Sequence, residues 1–253
     1  MIPKIIHYCW FGRGPKPELA NKCIESWKKF LPEYEIKEWN EDNFDLNLYP
    51  YTKEAYENRK FAFVTDVVRL YALYNEGGIY MDTDVEVLKP LDKFLHHNAF
   101  SGFEDGVNVP TGIMASEKGG KWAKENLEYY NDRHFIGKDG SLDLRTNVYT
   151  ITNYMLQYGL KQDNTLQDFE GLITMYPKEY FCPLSVDGYE LKITPNTHTI
   201  HHFMGSWGSK SKMLKYWKFI KYRILFKIIP DSIQRKVLAI KEKNRQEMHK
   251  KNF

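Results

Sequence analysis

The chain has 253 residues, with 36 Lys and Arg against 33 Asp and Glu, so its formal net charge is +3. This length allows one domain with a sizeable core and an appendage. The three cysteines form no Cys-x-x-Cys pair, which argues against a disulfide framework or a zinc knuckle. The N-terminus lacks an apolar signal core and no apolar run reaches about 18 residues, so we expect a cytoplasmic protein.

Strand-like and helix-like patterns alternate through the first hundred residues. We predict strands at 4–9, 35–39, 79–88 and 99–103, and helices at 17–30 and 52–75. Such alternation predicts an α/β fold in which helices flank a mostly parallel, Rossmann-like central sheet. In open sheets of this type, ligands bind beyond the carboxyl ends of the strands. Trp10, Asn40 and Asp82 fall at or just past such ends.

Two charged residues stand out in the second helix, because residues 61–74 are otherwise apolar on nearly all sides. A helix of this kind is buried, and buried charges need partners. The spacing of Asp66 and Arg69 places both on one helical face, so a structural ion pair is one interpretation. The other is that this face looks into a binding cleft, where Asp66 accepts sugar hydroxyls and Arg69 meets sugar or phosphate oxygens.

The most informative motif is Asp82-Thr83-Asp84, which follows the glycine pair at 77–78. If the run 79–88 is one extended strand, Asp82 and Asp84 project from the same face. Paired carboxylates suit a hard divalent cation such as Mg²⁺ or Mn²⁺, whose coordination shell substrate phosphates complete. The motif therefore makes the chain a candidate nucleotide-sugar enzyme. A polar strand end near a turn is the alternative interpretation.

The last segment differs in charge from the rest of the chain. Residues 209–253 contain 14 Lys and Arg against 3 Asp and Glu, whereas residues 1–208 have a net charge of −8. An apolar stripe of five residues runs through the basic stretch: Met213, Trp217, Ile220, Ile224 and Ile228. We predict a basic amphipathic helical tail that binds an anionic membrane surface. Packing on protein is the alternative, and the aromatic residues and acidic body disfavour nucleic acid.

Four blocks together resemble glycosyltransferase family 32, the DXD-containing sugar transferases. The blocks are residues 2–7 with Trp10, residues 66–70, residues 77–84 and residues 201–207. The resemblance covers residues 1–208 and implies a GT-A-like catalytic domain there, followed by the tail at 209–253. It also implies four donor contacts: Trp10 as a platform for the nucleotide base, Asp66 and Arg69 on the donor sugar, and Tyr80 lining the same pocket.

The resemblance further implies the catalytic and metal-binding residues. Asp82 resembles the carboxylate that reaches the ribose and, through water, the metal, and Asp84 resembles the direct metal ligand. His202 occupies the position of a C-terminal metal ligand, where the toxin branch of the family has a carboxylate. Trp207 resembles the tryptophan that contacts the leaving diphosphate. Because Mn²⁺ accepts imidazole more readily than Mg²⁺, we expect Mn²⁺, with Mg²⁺ as the alternative.

These features predict a metal-dependent, retaining glycosyltransferase. We expect it to move a hexose or N-acetylhexosamine from a nucleoside diphosphate sugar, most plausibly a UDP-sugar, to a glycan hydroxyl. The acceptor would be a lipid-linked intermediate of surface or capsular polysaccharide, reached from the cytoplasmic face of the cell membrane. By elimination, the acceptor site falls within residues 108–195. The alternatives are a glycoside hydrolase that uses paired carboxylates and a non-catalytic, membrane-associated glycan-binding module.

Overall fold

The structure is a computed structural model, and it describes residues 1–186, 188 and 190–204. The predicted basic tail at 209–253, the boundary at residue 208 and Trp207 lie outside these residues, so they stay predictions. Among the described residues, no helix combines the length and the apolar character that crossing a membrane requires.

A seven-stranded sheet forms the centre of the described part, in the order β2-β1-β3-β6-β5-β8-β7. Five of its strands run in one direction, and β6 and β7 run against them. This confirms the predicted α/β class with a mostly parallel sheet. The strands of this sheet are β1 Ile5–Cys9, β2 Glu35–Trp39, β3 Gly78–Met81, β5 Ala99–Gly102, β6 Ile113–Ser116, β7 Gln167–Phe169 and β8 Ile173–Tyr176. A separate pair consists of β4 Val85–Val87 and β9 Thr199–His201.

Helices pack on both faces of the sheet, and the sheet divides the core into two apolar clusters. Alternation along β3 shows the division, because Tyr80 belongs to one cluster while Ile79 and Met81 belong to the other. The long buried helix α3 contributes to the first cluster, and α1 contributes Trp27 to the second. The helices are α1 Glu18–Phe30, α2 Pro50–Glu57, α3 Phe61–Glu76, α4 Lys121–Glu128, α5 Asn147–Gln157 and the single turn α6 Lys178–Phe181.

Two predicted elements are each interrupted in the structure. The predicted helix at 52–75 is two helices, because Arg59 adopts a left-handed conformation (φ 55°) between α2 and α3. The predicted strand at 79–88 is also two elements, since the chain turns at Thr83 and Asp84 between β3 and β4. The second interruption matters for function, because it lies inside the acidic motif.

Gly78 permits a close approach of β3 to β1. Its φ is +112°, and a Cβ there would lie 2.6 Å from the backbone oxygen of Ile5. Gly119 has a similar backbone (φ +70°) but open space around it. We therefore expect Gly119→Ala to cost only backbone strain, about 1 kcal/mol, and Gly78→Ala to cost about 2–4 kcal/mol because a steric clash is added. Urea unfolding of both variants measures the difference, and equal losses would contradict the close approach.

His7 is a buried imidazole that the fold holds neutral. Its Nε2 lies 2.7 Å from the Gly77 carbonyl oxygen, and the Trp39 indole N–H donates to its Nδ1 at 3.0 Å. This arrangement requires the Nε2–H tautomer. Burial lowers the pKa of His7, although the Gly77 carbonyl and the charge of Glu76 raise it.

The lowered pKa of His7 makes stability depend on pH in a predictable direction. Below about pH 6.5 the unfolded chain binds a proton at this histidine that the folded protein excludes. The free energy of unfolding therefore falls as the pH decreases from about 6.5 toward the folded pKa. We expect His7→Gln to show a shallower decrease in this window when urea unfolding is measured at several pH values. Parallel curves for wild type and variant would contradict the prediction.

Candidate active site

The candidate site lies at one edge of the sheet, where three neighbouring strands end. β1 is parallel to both β2 and β3, so Trp10, Asn40 and Asp82 directly follow adjacent carboxyl ends. Trp10 is partly buried, and two hydrogen bonds orient it: its backbone N–H donates to Trp39 at 2.9 Å and its Nε1–H donates to Gly14 at 2.6 Å. An indole held at this edge can offer a fixed surface to a ligand.

The guanidinium of Arg69 is the central group behind this edge. We call it, with Asp66, Tyr80, Asp82 and Thr111, the Arg69 cluster. Its Nη2 lies 3.3 Å from Asp66 Oδ1 and 3.5 Å from Asp82 Oδ1, and its Nη1 donates to the Thr111 carbonyl oxygen at 2.6 Å. The carbon at its centre lies 4.7 Å from the centre of the Tyr80 ring. One buried cation therefore connects helix α3, strand β3 and the loop before β6.

Burial governs the protonation of two members of this cluster, Asp66 and Tyr80. It raises the pKa of Asp66 to about 7, although the charge of Arg69 acts in the opposite direction. Burial also raises the pKa of Tyr80 well above its usual value, so its hydroxyl stays neutral and donates to Asp82 Oδ1 at 2.7 Å. The structure thus brings four predicted donor-site or catalytic residues into contact. Asp66 and Arg69 form an ion pair, and Arg69 also contacts Asp82. The structure is therefore compatible with both interpretations of these residues, a structural ion pair and a group that faces a binding cleft.

The acidic motif forms a turn rather than an extended strand, which corrects the predicted geometry. The N–H of Val85 donates to the carbonyl oxygen of Asp82 at 2.9 Å, and Asp84 lies inside the turn. The two carboxylates still approach a common point, but the turn accounts for this and strand alternation does not. The Asp84 backbone carbonyl accepts from His202, and its carboxylate Oδ2 accepts from the N–H of Met204 at 2.7 Å.

The third group at this point is His201, which sequence reasoning missed. Antiparallel pairing of β4 with β9 aligns His201 with Val85, one residue after Asp84. The Nε2 atom of His201 then lies 3.3 Å from Asp84 Oδ1 and 3.9 Å from Asp82 Oδ2. One ligand atom from each of Asp82, Asp84 and His201 lies within 4.8 Å of the others. We call these three residues the Asp-Asp-His cluster.

The surroundings of His201 favour positive charge at the cluster. Burial disfavours the imidazolium, but the hydrogen bond and the charge of Asp84 outweigh it and raise the pKa of His201 well above its usual value. Although burial acts the other way, the same contact lowers the pKa of Asp84. Gly112 packs against the imidazole ring of His201. A Cβ at position 112 would lie only 2.7 Å from two atoms of that ring. This glycine is a further site residue that the sequence pattern did not reveal.

His202, the predicted metal ligand, lies beside the cluster but makes a different side-chain contact. Its Nε2 lies 2.9 Å from Glu86 Oε2, and about a quarter of its side chain (26%) is exposed. The side chain of His202 therefore contacts Glu86, whereas the side chain of His201 contacts Asp82 and Asp84. The two histidines are adjacent in sequence, and only the register of β9 against β4 distinguishes them. The predicted catalytic Trp207 lies outside the described residues.

The chain is similar in sequence to known glycosyltransferases. A family described as "Glycosyltransferase sugar-binding region containing DXD motif" matches residues 17–101, which contain the Arg69 pair and the acidic motif. Within residues 17–101, the chain is therefore similar to this family of glycosyltransferases. An uncharacterized glycosyltransferase of Acanthamoeba polyphaga mimivirus, L373, is 28% identical over 234 residues, which are 88% of this chain and 91% of that protein.

Other glycosyltransferases match over shorter stretches or with lower identity. Inositol phosphoceramide mannosyltransferase 3 of Schizosaccharomyces pombe is 31% identical over 125 residues, or 47% of this chain. The chain spans only about a third (34%) of the length of that relative. A solved glycosyltransferase, involved in the glycosylation of the major capsid of PBCV-1, has 14% identity and a TM-score of 0.48 over 86% of this chain and 99% of its own.

The two adjacent histidines allow a direct test of the Asp-Asp-His cluster. We expect His201→Gln to weaken Mn²⁺ binding by at least about tenfold, because loss of one ligand or its supporting contacts typically costs 10–100-fold in affinity. His202→Gln is the matched control and should stay within about threefold of wild type. Isothermal titration with Mn²⁺ gives both values. The opposite order would return the ligand role to His202.

Proposed function

We propose that this chain is a metal-dependent glycosyltransferase that transfers a sugar from a nucleoside diphosphate sugar to a glycan hydroxyl. One observation carries the proposal: a three-ligand cluster and a buried arginine share a single carboxylate, Asp82, at the ligand-binding edge of an α/β sheet. A cation with a neighbouring guanidinium matches the charge of a diphosphate.

The cluster fits a divalent cation by its distances and its donor atoms. In an octahedral shell with bonds of about 2.1 Å, ligand atoms lie about 3.0 Å apart when adjacent and about 4.2 Å apart when opposite. The distances from His201 to Asp84 and Asp82, 3.3 and 3.9 Å, fall in this range. Two carboxylates with one imidazole favour Mn²⁺ over Mg²⁺. When bound, such an ion would neutralise charge on the diphosphate as a Lewis acid.

Residues of the chain would bind and orient the donor. Trp10 would stack on the nucleotide base, and Arg69 would meet oxygens of the sugar or the phosphates. Asp66, with a pKa near 7, can accept or donate a hydrogen bond to a sugar hydroxyl. Asp82 is already oriented by the Tyr80 hydroxyl at 2.7 Å. We also retain the predicted contact of Trp207 with the leaving diphosphate.

Two kinds of nucleotide sugar are candidates for the sugar donor. The sequence favours a UDP-hexose or UDP-N-acetylhexosamine as the donor, whereas two relatives bear the names of mannosyltransferases. Those names favour a mannose donor, and GDP-mannose is then the second candidate. Hexoses that differ at one hydroxyl are separated by a few pocket contacts, so a screen of nucleotide sugars decides between them. Thermal shift with Mn²⁺ would rank the donors, because binding to the folded state raises the unfolding temperature.

The finer mechanism is also a proposal. We propose retention of the anomeric configuration, with the leaving phosphate accepting the acceptor proton. Hydrolysis by paired carboxylates needs groups about 5–9.5 Å apart on either side of the scissile bond. Asp82 and Asp84 instead converge on His201 with ligand atoms within 4.8 Å, which favours a metal site. A glycan-binding module without activity would bind a sugar but release no nucleotide.

The acceptor and the location rest on sequence alone. We propose a lipid-linked intermediate of surface or capsular polysaccharide as the acceptor, reached from the cytoplasmic side of a membrane. The support is the net charge of +11 within residues 209–253 and the apolar stripe there, a composition that suits an anionic lipid surface. In this view the tail keeps the enzyme at the membrane surface as a peripheral protein.

The activity can be tested with a matched pair of acidic variants. We expect Asp84→Asn to lower Mn²⁺-dependent release of nucleotide from the donor by about 100-fold or more, because several kcal/mol of charge stabilisation are lost. Glu86→Gln, two residues away, should stay within about threefold of wild type. The donor screen supplies the substrate for this assay. Unchanged turnover in Asp84→Asn with Mn²⁺ present would contradict the proposed metal-binding role of the Asp-Asp-His cluster.

A further inference from the structure

A second polar site lies outside the Arg69 and Asp-Asp-His clusters, in the segment between α4 and α5. The structure has a solvent-open cavity of about 370 Å³ there, lined by Arg133, His134, Asp143 and Arg145 among other residues. The family match ends at residue 101, so it does not reach this segment. We call it the two-arginine cavity.

Among the residues that line this cavity, two arginines face a single aspartate. Asp143 accepts hydrogen bonds from Nε and Nη2 of Arg133 at 3.0 and 2.5 Å, and from Nε and Nη2 of Arg145 at 2.8 and 3.0 Å. One carboxylate thus holds two guanidinium groups. Within the part of the chain that the structure describes, neither Nη1 atom forms a hydrogen bond to protein. Two oriented guanidinium edges suit the oxygens of a phosphate.

The cavity is built into the fold rather than formed by a loose loop. The Glu54 carboxylate on α2 accepts from the N–H groups of Phe135 and Ile136 at 2.8 and 2.9 Å, and its other oxygen lies 2.6 Å from His134 Nδ1. Phe135 is fully buried, with its ring 5.3 Å from that of Tyr51. The backbone that carries the cavity is therefore anchored by hydrogen bonds and by core packing.

Short contacts connect this cavity to the Arg69 cluster. Asn147, two residues after Arg145, donates from its side chain to the backbone oxygen of Asp66 at 2.9 Å. Burial raises the pKa of the Tyr51 hydroxyl, and the charges of Asp66 and Asp143 both raise it further. Both carboxylates therefore lie near one tyrosine. The segment that carries the cavity is thus bonded to Asp66, the residue that the proposed function assigns to the donor sugar.

Exposed apolar side chains accompany the arginines. Ile136 and Leu144 are 36% and 57% exposed, and both belong to the segment that carries the cavity. A phosphate site beside apolar surface suits an ester whose phosphate carries an apolar group.

We propose that the two-arginine cavity binds a phosphate ester group of the acceptor, with Arg133 and Arg145 as its ligands. The inference rests on the proposed transfer activity, because it assigns the cavity to the acceptor. The phosphate could belong to a lipid or to a soluble phosphate ester. Recognition of the phosphate is common to both sources.

Binding of three small probes to the full chain in the presence of EDTA tests the proposal, since a metal site then makes no contribution. The probes are octyl phosphate, inorganic phosphate and the neutral octyl glucoside, each titrated by calorimetry. We expect octyl phosphate to bind at least about tenfold more tightly than octyl glucoside, because charge-assisted hydrogen bonds are lost with the neutral probe. Tighter binding of octyl phosphate than of inorganic phosphate indicates a lipid source, and equal binding indicates a soluble ester.

Substitutions of the two arginines test whether these residues bind the phosphate. Arg145→Gln and Arg133→Gln should each weaken octyl phosphate binding by at least about tenfold, and Arg145→Lys should recover part of the loss. Lys124→Gln is the charge-matched control, because Lys124 is half exposed on α4 and pairs with Glu128 at 3.8 Å. It should bind within about twofold of wild type.

The outcomes separate this inference from the proposed function. Absence of octyl phosphate binding, equal binding of octyl glucoside, or equal losses in Lys124→Gln and Arg145→Gln would overturn the inference. Mn²⁺-dependent nucleotide release is measured on the same preparations and should be unchanged in Lys124→Gln. Nucleotide release without octyl phosphate binding would refute the phosphate-binding role of the cavity and leave the proposed transferase activity standing. Octyl phosphate binding without nucleotide release refutes the transferase proposal and, with it, the acceptor assignment.

Discussion

The burial of Arg69 is the constraint on which the candidate site depends. Its side chain is 6% exposed, and a charge taken out of water must be fully paired to be tolerated. Asp66, Asp82 and the Thr111 carbonyl supply that pairing from a helix, a strand end and a loop. The same contacts that neutralise the guanidinium therefore fix the position of Asp82. Folding and site geometry are coupled through one side chain.

The site combines two kinds of electrostatic environment within a short distance. The Arg69 cluster supplies a fixed positive charge, whereas the Asp-Asp-His cluster is a site where the protein favours an added positive charge. In the function that we propose, a diphosphate between the two clusters would meet positive charge from two sides, the permanent charge of Arg69 and an exchangeable metal ion. Asp82 belongs to both clusters, so its substitution would disturb the two together, while Asp84 and His201 act on the exchangeable side alone.

Local patterns predicted the fold class and part of the site, but long-range register decided the rest. The strand at 35–39 agrees residue for residue with β2, and the apolar run with two charges correctly indicated a buried Asp66–Arg69 pair. The turn at Thr83 was missed, because an isolated Asp-x-Asp after an apolar run looks the same in a strand or a turn. His201 and Gly112 could not be found from sequence, since only the pairing of β9 with β4 and the loop before β6 bring them together.

The pairing of β4 with β9 joins the acidic turn to a histidine more than a hundred positions later in the chain. During translation, the chain up to β8 contains every strand of the main sheet and the complete Arg69 cluster before this histidine leaves the ribosome. The Asp-Asp-His cluster can therefore be completed only after every strand of the main sheet has been synthesised. A prematurely terminated product that ends before β9 would retain the acidic turn without His201.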